Sequence, residues 1–364
     1  RIFSFTCRVT TINSMIKKRK MLALAEARFS PLKSKTANGA IIYLRDEVVA
    51  VIDSTKVGMT AQDVLGYGGA IPVIKNIEEG MKFNPDTLLI GIAPTGGRLP
   101  EEWREWIKTA LRSRLNILSG LHTILTDDDE FVQLAKENGV TITDWRKIPS
   151  ESEVVSKGNW RTRKSKTILT VGTDCNIGKM TTMLQVYDEF QKRGLKSDFI
   201  GTGQTGIMIS GKGIAVDAII SDYIAGCIEL EIDTSDAEGY EYIFVEGQGA
   251  LTHQGYSGVT LGLMHGTMPD AMILCSQPTR VVDDYKIPLS ELNRLIRLHE
   301  EVINIFRPTK IVGIGINSIG LTDEQSNAEA KKIEDATGLP AIDAFRFGGA
   351  KLADALEKYF GKRN

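Results

Sequence analysis

One stretch constrains this chain more than any other: Val171-Gly172-Thr173-Asp174-Cys175-Asn176-Ile177-Gly178-Lys179-Met180-Thr181-Thr182. The apolar run Thr167–Val171 before it reads as a buried strand, and Met183 to Arg193 after it reads as a helix. Strand, glycine loop, lysine, hydroxyl and helix form the layout of a phosphate cradle. A loop with few side chains turns backbone N–H groups around an anion, and the helix adds the positive end of its dipole. Lys179 supplies a cation, and Thr181 is the hydroxyl that would ligate Mg²⁺. The spacing departs from the usual pattern. Five residues separate the glycines instead of four, and Met180 stands where Ser or Thr normally follows the lysine. The plain alternative is a glycine turn with an incidental lysine.

A loop longer by one residue, opening Gly-Thr-Asp, resembles the dethiobiotin-synthetase-like branch of P-loop proteins. The segment Phe244-Val245-Glu246-Gly247-Gln248-Gly249 adds an apolar strand ending in an acid, the arrangement that holds Mg²⁺ or its water. Val-Glu-Gly is also the form this element takes in that branch. A surface acid before a glycine turn is the alternative reading.

The chain has 364 residues, which favours two domains. Its 42% hydrophobic and 25% charged residues are those of a soluble globular protein. A net charge of −2 offers no field for nucleic acid. No apolar run approaches the roughly 20 residues that span a bilayer. Cys7, Cys175, Cys227 and Cys275 form no CxxC pair, which points to a reducing, cytoplasmic setting and away from structural zinc. Arg1 to Lys20 carries six basic residues and no acid, the composition of an organelle transit peptide. An over-extended start, with Met15 or Met21 as initiator, is the preferred alternative. Residues 1–34 are accordingly expected to be an irregular or non-native extension.

From there the pattern alternates strand and helix, which predicts two doubly wound, mostly parallel α/β domains. The first covers 35–148, with strands over Ala40–Leu44, Val48–Ile52, Ile71–Ile74, Thr87–Ile92 and Val140–Asp144. Residues 149–166, polar and basic, read as a linker, and 167–364 form the second domain. Ligands of such sheets sit beyond the carboxyl ends of strands. One such end is Gly201-Thr202-Gly203-Gln204-Thr205-Gly206, where Gly203, Gln204 and Thr205 permit close approach and hydrogen bonds. His253 and His265 follow the Glu246 strand, and a loop histidine there suits a general base or a charge partner. Asp222, Gly226 and Glu229 share one face of an expected helix over Val216–Glu229, read as a solvated face. In the first domain Thr95, Gly96, Gly97 and Arg98 form a strand-end loop suited to a carboxylate or phosphate.

Taken together these loops resemble a family first catalogued as of unknown function, some members of which are described as D-glutamate N-acetyltransferases of the DgcN type. The marks are Lys35-Thr36-Ala37, Val51-Ile52-Asp53-Ser54, Gly91 to Gly97, the Gly172–Thr182 loop, Gly203-Gln204-Thr205-Gly206, and Glu246-Gly247-Gln248-Gly249 with His253. The likeness runs from about Lys35 onward. It implies a Rossmann-like domain followed by a P-loop domain, and acetyl-CoA with its phosphates on the P-loop. ATP with Mg²⁺, held by Thr181 and Glu246 in a ligase or kinase, is the second reading, and a non-enzymatic nucleotide sensor the third. An amino acid, D-glutamate by the resemblance, is expected between the two domains, its carboxylate on Arg98, Gly96 and Gly97, with Thr95 and Gln248 nearby. His253, Glu246 and Lys179 are the candidate catalytic residues, His253 as base. No membrane or nucleic-acid partner is expected, and a homo-oligomer is.

Overall fold

Short apolar runs buried on both faces build each sheet, the composition expected where helices cover both sides of parallel strands. A computed structural model describes residues 18–31, 33–92 and 97–361. The chain divides into two units, 1–148 with 207–211, and 149–206 with 212–364.

In the first unit the elements run β1 (Met21–Leu24), α1 (Lys35–Tyr43), β2 (Val48–Ile52), α2 (Ala61–Leu65), β3 (Val73–Ile74), α3 (Ile77–Gly80), β4 (Thr87–Ile90), α4 (Arg104–Arg112), β5 (Asn116–Ser119), α5 (Asp129–Asn138) and β6 (Ile142–Asp144). The sheet order is β3-β2-β1-β4-β5-β6, with parallel pairings throughout. Two expectations fail here. Met21–Leu24, expected within an irregular or non-native extension, is a central strand whose four residues are completely buried. Four apolar residues carry no periodicity, so only pairing with Val48–Ile52 and Thr87–Ile90 reveals them as a strand. Ala40–Leu44 is not a strand. It lies mostly in α1, because Ala37, Ala40 and Ile41 bury a helical face.

The second unit contains β7 (Lys166–Gly172), α6 (Lys179–Lys192), β8 (Ser197–Ile200), the start of α7 (Gln204–Ser210, which from Ile207 on is counted with the first unit), α8 (Ile224–Ala237), β9 (Tyr242–Val245), α9 (Ser257–Thr267), β10 (Ala271–Ser276), α10 (Leu292–Asn304), β11 (Lys310–Ile316), α11 (Asp323–Thr337), β12 (Ala341–Ile342), α12 (Ala344–Phe347) and α13 (Ala350–Phe360). Its sheet order is β12-β11-β10-β7-β9-β8, again parallel. β7 therefore runs between β10 and β9, and the loop leaving it opens at the centre of the sheet's carboxyl edge. Phe190 of α6 meets Phe244 of β9 edge-to-face at 4.9 Å, and Tyr187 lies between Phe199 and Phe244. Aromatic pairs of this geometry contribute about 0.5–1.5 kcal/mol beyond burial, and they clamp the cradle helix to the sheet.

The stretch 149–166 is not a free linker. Glu229 of α8 accepts from the Lys157 and Asn159 amides at 2.6 and 2.7 Å, and Gly226 lets the Val154 carbonyl lie against the helix. The face carrying Gly226 and Glu229 is thus a seat for this strap, and Glu229 is only 4% exposed. The expected single helix over Val216–Glu229 is two short 3₁₀ turns followed by α8.

Candidate functional site

β7 delivers Gly172 to the edge of the second sheet, and Thr173 continues it by donating its amide to the Cys275 carbonyl of β10 at 3.0 Å. Gly178, at φ 95°, turns the chain into α6, where no side chain caps the first amides. Those N–H groups are the unsatisfied donors that an anion takes. Lys179 is the first helical residue, and its ammonium folds back to donate to the Asp174 carbonyl at 2.7 Å. It is buried, and desolvation lowers its pKa. A buried ammonium with one neutral acceptor has capacity for an anion. Met180 and Thr181 are half-buried, whereas Thr182 is buried against Gly315 of β11. Asn176 is exposed at the loop's tip.

Beside the cradle, the strand-end acid Glu246 is 5% exposed. Its carboxylate accepts from the Thr202 and Gly203 amides at 2.8 and 3.2 Å, so it fixes the Gly203–Gly206 loop. A Cβ on Gly206 would fall 2.1 Å from that carboxylate, which explains the glycine. Burial pushes Glu246 up to about 7, against the opposing pull of those two amides and Lys179. Gln248 lies over Gly203, and its carbonyl accepts from the Thr260 hydroxyl at 2.8 Å. Gln204 and Thr205 are half-buried at the start of α7.

On its other side the cradle meets His253 and Arg280. Asp174 is fully buried, with its Oδ1 accepting from the Cys175 amide. His253 Nε2 lies 4.0 Å from that oxygen, and the ring is held between Tyr256 and Tyr285. Its Nδ1 accepts from the Gly255 amide at 3.2 Å. Arg280 donates to the Cys175 carbonyl at 2.7 Å and places a second contact 2.9 Å from Asp174 Oδ2. That second contact is a charge contact only, because Oδ2 receives no directed hydrogen bond. The Cys175 thiol, half-buried, is raised by desolvation.

The predicted residues of the second domain therefore gather around one loop. Arg280 and the double role of Asp174 were missed. Arg280 follows β10, so the strand-end rule that found the other loops reaches it too. His265 stands apart, in the last turn of α9 edge-on to Phe306. In the first unit, Thr95 and Gly96 lie outside the described residues. Gly97, at φ 62°, is packed on His122, whose amide donates to the Gly97 carbonyl at 2.7 Å, and Arg98 is exposed. Asp53, at the end of β2, spends its carboxylate on the Ala27, Phe29 and Thr55 amides at 3.2, 3.0 and 3.0 Å.

Fold and loop together define a two-domain α/β protein, Rossmann-like first and P-loop second. The chain belongs to the DUF1611 family: residues 54–148 match its N-terminal Rossmann-like domain and residues 154–353 its C-terminal P-loop domain, both described as of unknown function. It is 41% identical over 285 residues to a D-glutamate N-acetyltransferase of Tritonibacter scottomollicae, covering 77% of this chain and 84% of that one. It is 36% identical over 276 residues to a protein of the same name from a Pseudoalteromonas species, covering 75% and 82%. A crystal structure of a DUF1611 family protein from Anabaena variabilis superposes with a TM-score of 0.88 at 33% identity, covering 93% of this chain and 99% of that one. Among the described residues no helix is long and apolar enough to cross a membrane.

Proposed function

We propose that this protein is an N-acetyltransferase that moves an acetyl group from acetyl-CoA to the amino group of D-glutamate. The observation that carries the reading is the 41% and 36% identity to two proteins of that name, over 84% and 82% of their lengths. The site supports it. Acetyl-CoA supplies an activated thioester and brings phosphates. The chain's own part is to hold those phosphates on Lys179, the open amides of α6 and the Gly172–Gly178 loop, with Thr182 and Asn176 bordering them. Glu246 then acts by positioning, since it keeps the Thr202–Gly203 amides in place beside the cradle. Arg98 with Gly97 is the proposed carboxylate holder.

The test incubates the protein with acetyl-CoA and D-glutamate, L-glutamate or D-alanine and follows the release of free CoA thiol. A parallel set with ATP and Mg²⁺ follows ADP. Release of CoA with D-glutamate is expected, and Arg98→Ala should raise KM with kcat little changed. ATP turnover without CoA release from any amino acid would overturn the reading.

A further inference from the structure

The start of α10 carries positive charge where a helix disfavours it. Arg294 lies in the first turn, at the positive end of the dipole, and no acid stands in that turn. Arg297 follows three residues later, so the two side chains leave neighbouring points of one helix face. Both residues are exposed, and neither guanidinium makes a hydrogen bond or an ion pair among the described residues. Glu301 stands four residues after Arg297, the spacing of a helical ion pair, and leaves it unpaired.

The two arginines line a cavity of about 190 Å³, together with Thr252, Ser290 and Glu301. That is several times the roughly 30 Å³ that one water takes in the liquid, so the cavity admits a tetrahedral anion and its neighbouring group. Its position ties it to the cradle. Thr252 directly precedes His253, whose Nε2 is 4.0 Å from Asp174. Ser290 and α10 continue the chain from Arg280, which donates to the Cys175 carbonyl. The loop between them folds on itself, with the Asp283 and Leu289 amides donating to the Ile287 and Val281 carbonyls at 2.9 and 3.0 Å. Both walls of the cavity thus grow from the two segments that touch the phosphate loop. Its donors select the ligand. Each guanidinium offers five N–H groups and each hydroxyl one, and a carboxylate is satisfied by a single guanidinium fork. A phosphomonoester brings up to about two charges and three acceptor oxygens, which match two guanidiniums and the hydroxyls beside them.

We propose that this cavity seats a second phosphate group, the 3′-phosphomonoester of coenzyme A, while the Gly172–Gly178 loop holds the pyrophosphate. The proposal rests on the acetyltransferase reading and deepens it. Arg294 and Arg297 take the phosphate oxygens, with the Thr252 and Ser290 hydroxyls as further donors. Glu301 is the acceptor for the ribose 2′-hydroxyl that stands next to that phosphate. ATP carries all its phosphates in one run and a plain hydroxyl at the 3′ position, so the cavity discriminates between the two ligands.

Calorimetry tests this with acetyl-CoA and 3′-dephospho-acetyl-CoA, on wild type and on an Arg294→Gln, Arg297→Gln double variant. Wild type should bind the dephospho compound roughly ten- to a hundredfold more weakly. The double variant should lose about that factor toward acetyl-CoA and no longer distinguish the two compounds. In turnover it should raise KM for acetyl-CoA and leave KM for D-glutamate unchanged. A wild type that binds both compounds equally, or a variant that keeps the wild-type preference, overturns the proposal and leaves the acetyltransferase reading standing. A rise in KM for D-glutamate alone would make the cavity a carboxylate site for the acceptor and overturns it likewise. A wild type that binds no acetyl-CoA overturns the function reading and this role together. Should the variant not fold, the wild-type comparison of the two compounds decides.

Discussion

Replacing Glu246 by Gln should stabilise the ligand-free protein, and do so more at high pH. The carboxyl group is 5% exposed and held by two amides, yet burial raises it from 4.5 to about 7. Below pH 4.5 it is protonated in both folded and unfolded chains, so it contributes no pH dependence there. Between 4.5 and 7 the unfolded chain releases the proton and the folded chain keeps it, so stability falls as pH rises. Above about 7 the folded chain carries a buried anion, and the displacement from 4.5 to about 7 corresponds to a loss of up to about 3 kcal/mol. Gln has no proton to lose, and its carbonyl oxygen still accepts from Thr202 and Gly203. The assay is urea unfolding of wild type and Glu246→Gln at pH 5, 6, 7 and 8, followed by circular dichroism. The stability difference should widen by up to about 3 kcal/mol across that range. Parallel profiles with a constant offset would refute the argument, because they would mean that the folded carboxyl ionises like an exposed one.

Three further outcomes are expected. Lys179→Ala should weaken acetyl-CoA binding by about 1.5–3 kcal/mol for a lost charge-assisted contact, roughly ten- to a hundredfold by calorimetry. Unchanged affinity in a folded variant would remove the cradle assignment. His299 is fully buried with Nδ1 at 2.7 Å from the Leu295 carbonyl, and burial lowers it from 6.5 to about 4. The unfolded chain therefore gains a proton first as pH falls, stability drops by up to about 3 kcal/mol between 6.5 and 4, and His299→Leu should flatten that limb of the melting profile. Gly226→Ala would set a Cβ 1.8 Å from the Val154 carbonyl. Overpacking of this kind costs about 1–3 kcal/mol, and limited proteolysis should cut between 150 and 165 faster than in wild type; an unchanged pattern would mean that the strap is not seated by this contact.

The cradle was legible in the sequence because all its parts are local. Thr167–Val171 is apolar without interruption, the loop is glycine-bounded, and the helix begins at the lysine, so neighbours in the chain are neighbours in space. The same locality identified the loops at Gly203 and Glu246. It failed where a segment's state depends on distant partners. Met21–Leu24 carries no period of its own and becomes a central strand only between β2 and β4. Ala40–Leu44 has the composition of a strand, but Ala37, Ala40 and Ile41 bury a helical face. Glu229 reads as a solvated acid until residues 149–166 lay their amides on it. The chemistry of the site divides in the same way. Sequence supplied Asp174 as a member of a phosphate loop and His253 as a loop histidine. Only the tertiary structure set them 4.0 Å apart and brought Arg280 to the loop from 105 residues away. The direction of the His253 proton depends on the Gly255 amide. Backbone hydrogen bonds and parallel strand pairing make these placements, and neither leaves a periodic trace in the residues that they join.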